Sequence, residues 1–117
     1  MEPFNINAEM TSSLNNLNGE ELDIFAALQQ EQQGQGPVND EQIELYIYAC
    51  FLVFKKMHST KHLEQAIQQT EGWIAELAID HPDRARRLQI LDFLSAWMSQ
   101  LSFISERDIK LPLLGIR

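Results

Sequence analysis

The sequence predicts an all-α protein, a short antiparallel array of about four helices. Apolar residues recur every three or four positions through long stretches, as one face of a helix requires. Gly34-Gln35-Gly36-Pro37 and Asp80-His81-Pro82-Asp83 punctuate those stretches. No segment sustains the period of two that a half-buried strand would show.

Residues 1–18 read as a mobile N-terminal arm, rich in Asn and Ser, with a weak turn of helix near Met10–Leu17. The helical domain is expected over 19–103. Its first helix starts near Gly19, where Glu20, Glu21 and Asp23 suit the positive end of a helix dipole. Leu22, Phe25, Ala26 and Leu28 give it a narrow apolar face, which runs into Gln29-Gln30-Glu31-Gln32-Gln33 and the linker at 34–38. Asn39 or Asp40 caps the second helix, which continues to about Met57. Ile43, Ile47, Cys50, Phe54 and Met57 form one stripe, while Leu45, Tyr48, Phe51 and Leu52 cover much of the rest. A helix apolar nearly all round should be buried on more than one side.

His58-Ser59-Thr60 ends that helix, with Thr60 placed to cap the third, at about 61–79. Leu63, Ala66, Ile67, Thr70, Trp73, Ile74 and Leu77 form its inner face; Glu64, Gln65, Gln68, Glu71 and Glu76 take the wet side. The fourth helix spans about 82–103, opened by Pro82. Its main face reads Ala85, Leu88, Leu91, Leu94, Met98 and Leu101, widened by Ile90, Phe93 and Trp97. Residues 104–117 form an apolar C-terminal tail.

Leu63-Glu64-Gln65-Ala66-Ile67 followed by His81-Pro82-Asp83-Arg84-Ala85 resembles the long tetratricopeptide repeats of fungal multidomain proteins, including NACHT-type and CHAT-type signalling proteins. The resemblance extends over about 42–103. Ile43, Leu45, Tyr48 and Leu52 overlay Leu88, Ile90, Phe93 and Trp97 at one constant offset, a weak internal repeat. The resemblance implies a tetratricopeptide-like stack of antiparallel helices that binds other proteins. Only one complete repeat and part of another fit, whereas about three normally share a buried face.

The rest of the composition narrows the function classes. The 117 residues suit one domain. One cysteine, Cys50, permits no intrachain disulfide and points to a reducing, cytoplasmic setting. Apolar runs fall far short of the roughly 20 residues of a membrane span, and Glu2 and Glu9 stand where a secretory signal would carry cations. The net charge is −8, and residues 1–44 hold nine acids with no Lys or Arg. Such a chain is ill suited to a phosphate backbone, so nucleic acid is not an expected partner.

Candidate chemistry is sparse. His58 and His62 have the spacing of two metal ligands, but Ser59 and Thr60 break the helix between them and no third ligand is near. Asp80, His81 and Asp83 read as a turn rather than an acid–base cluster. Cys50 sits in an apolar stripe, where thiols are inert. Arg84, Arg86 and Arg87 could grip an anion, though a solvated helix end paired with nearby acids is commoner. No catalytic motif, metal site or cofactor site is expected. The function expected is a non-catalytic adaptor, scaffold or self-associating homodimer that binds a protein helix, which could be basic. Tyr46, Phe51, Phe54, Trp97 and Leu101 are its candidate contacts, in excess of what one helical face can use. Trp73 and Trp97 raise the alternative of a small-molecule protein or enzyme with a pocket between the third and fourth helices. A third class is an acidic inhibitor, disfavoured because many acids fall in the loose N-terminal region.

Overall fold

Helix boundaries in this chain are written largely by asparagine and serine. The computed structural model describes residues 3–34 and 39–116, for 101–116 the backbone alone. Asn7 caps α1 (Ala8–Asn16), its side chain accepting from the Glu9 amide. Asn18 precedes α2 (Gly19–Gly34) and trades bonds with Glu21: Asn18 Oδ1 accepts from the Glu21 amide, and Glu21 Oε1 from the Asn18 amide. Asn39 and Gln42 make the same reciprocal box at the start of α3 (Asp40–Met57). The α3 helix ends at His58 in the left-handed region, φ 56°. Ser59, not Thr60, then caps α4 (Thr60–Ala75) by accepting from the His62 amide. The fifth helix, α5, spans Arg84–Ile116.

The helices pack as antiparallel neighbours in chain order, α2 on α3, α3 on α4 and α4 on α5. The α3 helix is the centre: from Tyr46 to Phe54 every residue is buried. That is what its all-round apolar sequence demands. Leu22 and Ala26 meet it from α2, Leu63, Ala66 and Trp73 from α4, and Ile90 and Leu94 from α5.

Among the described residues five helices stand where about four were expected. Of the expected N-terminal arm, residues 3–18 pack on the fold: Leu14 of α1 is 2% exposed within the core. One apolar residue sufficed because polar bonds do the rest. Asn15 Nδ2 donates to the Tyr48 hydroxyl at 2.9 Å. Lys56 Nζ donates to the carbonyls of Asn15 (2.6 Å) and Leu17 (2.5 Å), placing a cation at the negative end of α1. The α4 helix stops at Ala75, short of the expected 79, and Pro82 lies in the turn before α5. The expected tail at 104–117 is helical through Ile116. Of the expected linker, 35–38 lie outside the described residues.

The face of α5 also differs from expectation. Leu88 is 38% exposed, and the inward positions are Arg87, Ile90 and Leu94, with Phe93, Trp97 and Met98 partly buried. The large rings decide this rotation. Phe93 and Trp97 reach Phe51 at centroid distances of 5.1 and 6.0 Å, and Trp97 reaches Phe54 at 5.8 Å.

Candidate functional site

Three of the five expected contact residues lie inside the fold. Tyr46, Phe51 and Phe54 are 3%, 0% and 4% exposed, so these three are core residues and are corrected as such. Trp97 is half-buried against Phe51 and Phe54. The side chain of Leu101 lies outside the described residues. The excess of aromatics is absorbed inside the fold by two elements the sequence did not credit with packing, α1 and the extended segment before it.

That segment, Pro3–Asn7, runs over the seam between α3 and α5. The Phe4 ring sits 5.0 Å from Tyr48, 5.9 Å from Phe51 and 5.9 Å from Phe93. The amide of Asn5 donates to Glu44 Oε2 at 2.5 Å. Glu44 is buried and receives a bidentate grip from Arg86, both bonds 3.0 Å. Fixing five residues costs about 5–10 kcal/mol of chain entropy. The Phe4 ring, Ile6 and the charged bond at Glu44 each return at most about 1.5–3 kcal/mol. The two sides nearly cancel, so the strap is held with little to spare.

Arg84, Arg86 and Arg87 at the start of α5 are engaged within the fold. Arg87, 3% exposed, lies 4.0 Å over the Trp73 ring, donates to the Trp73 carbonyl (2.8 Å) and pairs with Asp40 (3.1 Å). Arg84 donates to the Ile74 carbonyl, so both cap the last turn of α4. Between Trp73 and α5, the guanidinium of Arg87 lies over the indole.

A second feature is a trough above α3, walled by α2 and α4. One cleft of about 320 Å³ and another of about 210 Å³ lie side by side along it, with Gln30, Tyr46 and Gln65 lining both. Four glutamines line it, Gln30 from α2 and Gln65, Gln68 and Gln69 from α4. Tyr46 and Ile43 form the floor. His62 Nε2 donates to Asp23 Oδ1 at 2.9 Å and ties the walls together at one end, while Ser59 Oγ donates to His62 Nδ1. His62 is thus a strut between helices, and His58 a helix terminus. Among the described residues no group of three or more His, Cys, Asp or Glu is placed to hold a metal ion.

Beneath the floor, Tyr46 and Cys50 stand one turn apart and hydrogen-bond. Burial raises the Tyr46 hydroxyl well above its ordinary range, and raises the Cys50 thiol from about 9 to about 11. The lining glutamines went unread as a site because each alone is an ordinary solvated residue. Their one visible signal was spacing, Gln65, Gln68 and Gln69 on a single side of α4.

No helix among the described residues is long and apolar enough to cross a membrane. Compared with known proteins, the chain matches no family model, no curated protein and no solved structure.

Proposed function

We propose that this chain is a non-catalytic protein-interaction module of tetratricopeptide type, and that the glutamine-lined trough receives an extended polypeptide segment. The observation that carries the reading is the trough's shape and chemistry. From His62 to Glu76 along α4 it runs about 21 Å at 1.5 Å per residue, the span of about six extended residues. A primary amide both donates and accepts, which is the complement of a peptide backbone. The buried thiol and the acidic surface favour a reducing, cytoplasmic setting and a partner that carries cations. Self-association remains part of the proposal, with the trough rather than the buried aromatics as the contact.

A second reading has its own support. At about 320 Å³ the larger cleft falls within the size range of small-ligand sites. Peptide selection from a random displayed library separates the two. The proposal expects selected peptides to shift the side-chain amide resonances of Gln30, Gln65 and Gln69, and Gln65→Trp to weaken them at least tenfold. Perturbations confined to other faces, or no selectable peptide, would end the reading. Light scattering across a concentration series reads self-association, and a concentration-independent monomer removes the homodimer.

A further inference from the structure

We propose that the seam between α3 and α5 is a second recognition groove, one that takes a short extended segment bearing a phenylalanine, and that Pro3–Asn7 is its intramolecular occupant. This inference stands apart from the trough, which is lined by α2, α3 and α4 and by none of the seam's residues. What fits the seam is displayed by the strap itself. An aromatic ring enters between Tyr48, Phe51 and Phe93, and the next residue's amide donates to Glu44.

The receiving groups also hold one another through contacts that the strap does not make. Arg86 fixes Glu44 through two bonds from α5, and the Phe51–Phe93 and Phe51–Trp97 contacts join the walls directly. The strap has no helix or strand of its own from residue 3 to residue 7. Its side chains stay half-buried at Phe4 and Ile6 and exposed at Asn5 and Asn7. A preformed socket filled by an unstructured stretch of chain is the arrangement in which a partner segment of like chemistry can replace the resident one. The tether gives the strap an effective concentration in the millimolar range, so it screens the groove against weak ligands and yields to tight ones.

The test uses the full chain and an acetylated, labelled peptide of the sequence Pro3–Asn7. Phe4→Ala releases the strap and is expected to bind the peptide at least about twofold more tightly than the wild type, the factor by which a strap of near-balanced closure competes, while a peptide with Ala in place of Phe binds neither. Asn5→Pro, at an exposed position, removes the amide donor to Glu44 and is expected to open the groove in the same direction. It decides the matter if Phe4→Ala loses helicity. Peptide binding equal in wild type and variants, or absent from both folded variants at millimolar peptide, overturns the proposal.

Discussion

Cys50 shows how burial turns a reactive group into a structural one. The thiol is fully buried, and its ionisation is pushed from about 9 up to about 11. Below pH 9 both folded and unfolded chains keep the proton, and stability does not change through this group. Above pH 9 the unfolded chain loses it while the folded chain holds it until about pH 11, so stability falls across that window. The loss is about 2–3 kcal/mol. Unfolding free energies from urea titrations at pH 8 and pH 11 should differ less in Cys50→Ala than in the wild type by that amount; the raised Tyr46 acts in the same direction and persists in the variant. Glu44 and Arg86 provide the opposite case, a charge that is tolerable only in company. Arg86→Met leaves a buried carboxylate with the Asn5 amide alone and should cost about 3 kcal/mol, whereas Glu44→Met with Arg86→Met should return to within about 1 kcal/mol of the wild type. Equal losses in the single and double variants would show that the pair is not what matters.

Helices here are bounded by specific side-chain bonds, and those bonds are separable from the core. Asn39 and Gln42 satisfy two amides reciprocally at the start of α3. Asn39→Ala should therefore lower stability by about 1 kcal/mol with no change in the cooperativity of thermal unfolding. The start of α2 is set by space as well as capping. A Cβ on Gly19 would fall on the Met57 side chain, so Gly19→Ala requires Met57, itself 47% exposed, to swing outward. Its cost should be small, and Met57→Ala should remove it, as denaturant titration of the two variants and their combination would reveal.

For the whole molecule, the decisive fact is where the aromatic excess goes. Phe51 is 0% exposed and touches Phe4, Phe54, Phe93 and Trp97. Phe51→Glu should abolish the cooperative thermal transition followed by circular dichroism, since a carboxylate there has no partner. Ile24→Glu, at a site 62% exposed, should leave stability within about 0.5 kcal/mol. A folded Phe51→Glu would restore the idea that this ring faces outward. The aromatic-rich α3 is thus the hub on which the strap, α2, α4 and α5 converge, and both proposed recognition surfaces are built on its flanks.

Much of this could be read from residue order alone, for a local reason. Periodicity, the Asn39 cap, the turn at Asp80–Asp83 and the apolar setting of Cys50 depend on neighbours within a few residues, and α2 and α3 begin at the expected Gly19 and Asp40, whereas the capping roles of Asn7, Asn18 and Ser59 went unread. The sequence determined an all-α chain with α3 at its centre. It did not determine which apolar faces were left over, because that depends on what lies across them. Phe4 stands alone among polar neighbours and Leu14 in a weak stretch of helix, yet Phe4 packs over the seam and Leu14 is buried in the core. Likewise Gln30 and Gln65 become one site only because α2 and α4 stand on either side of α3, a juxtaposition that exists in three dimensions and nowhere along the chain.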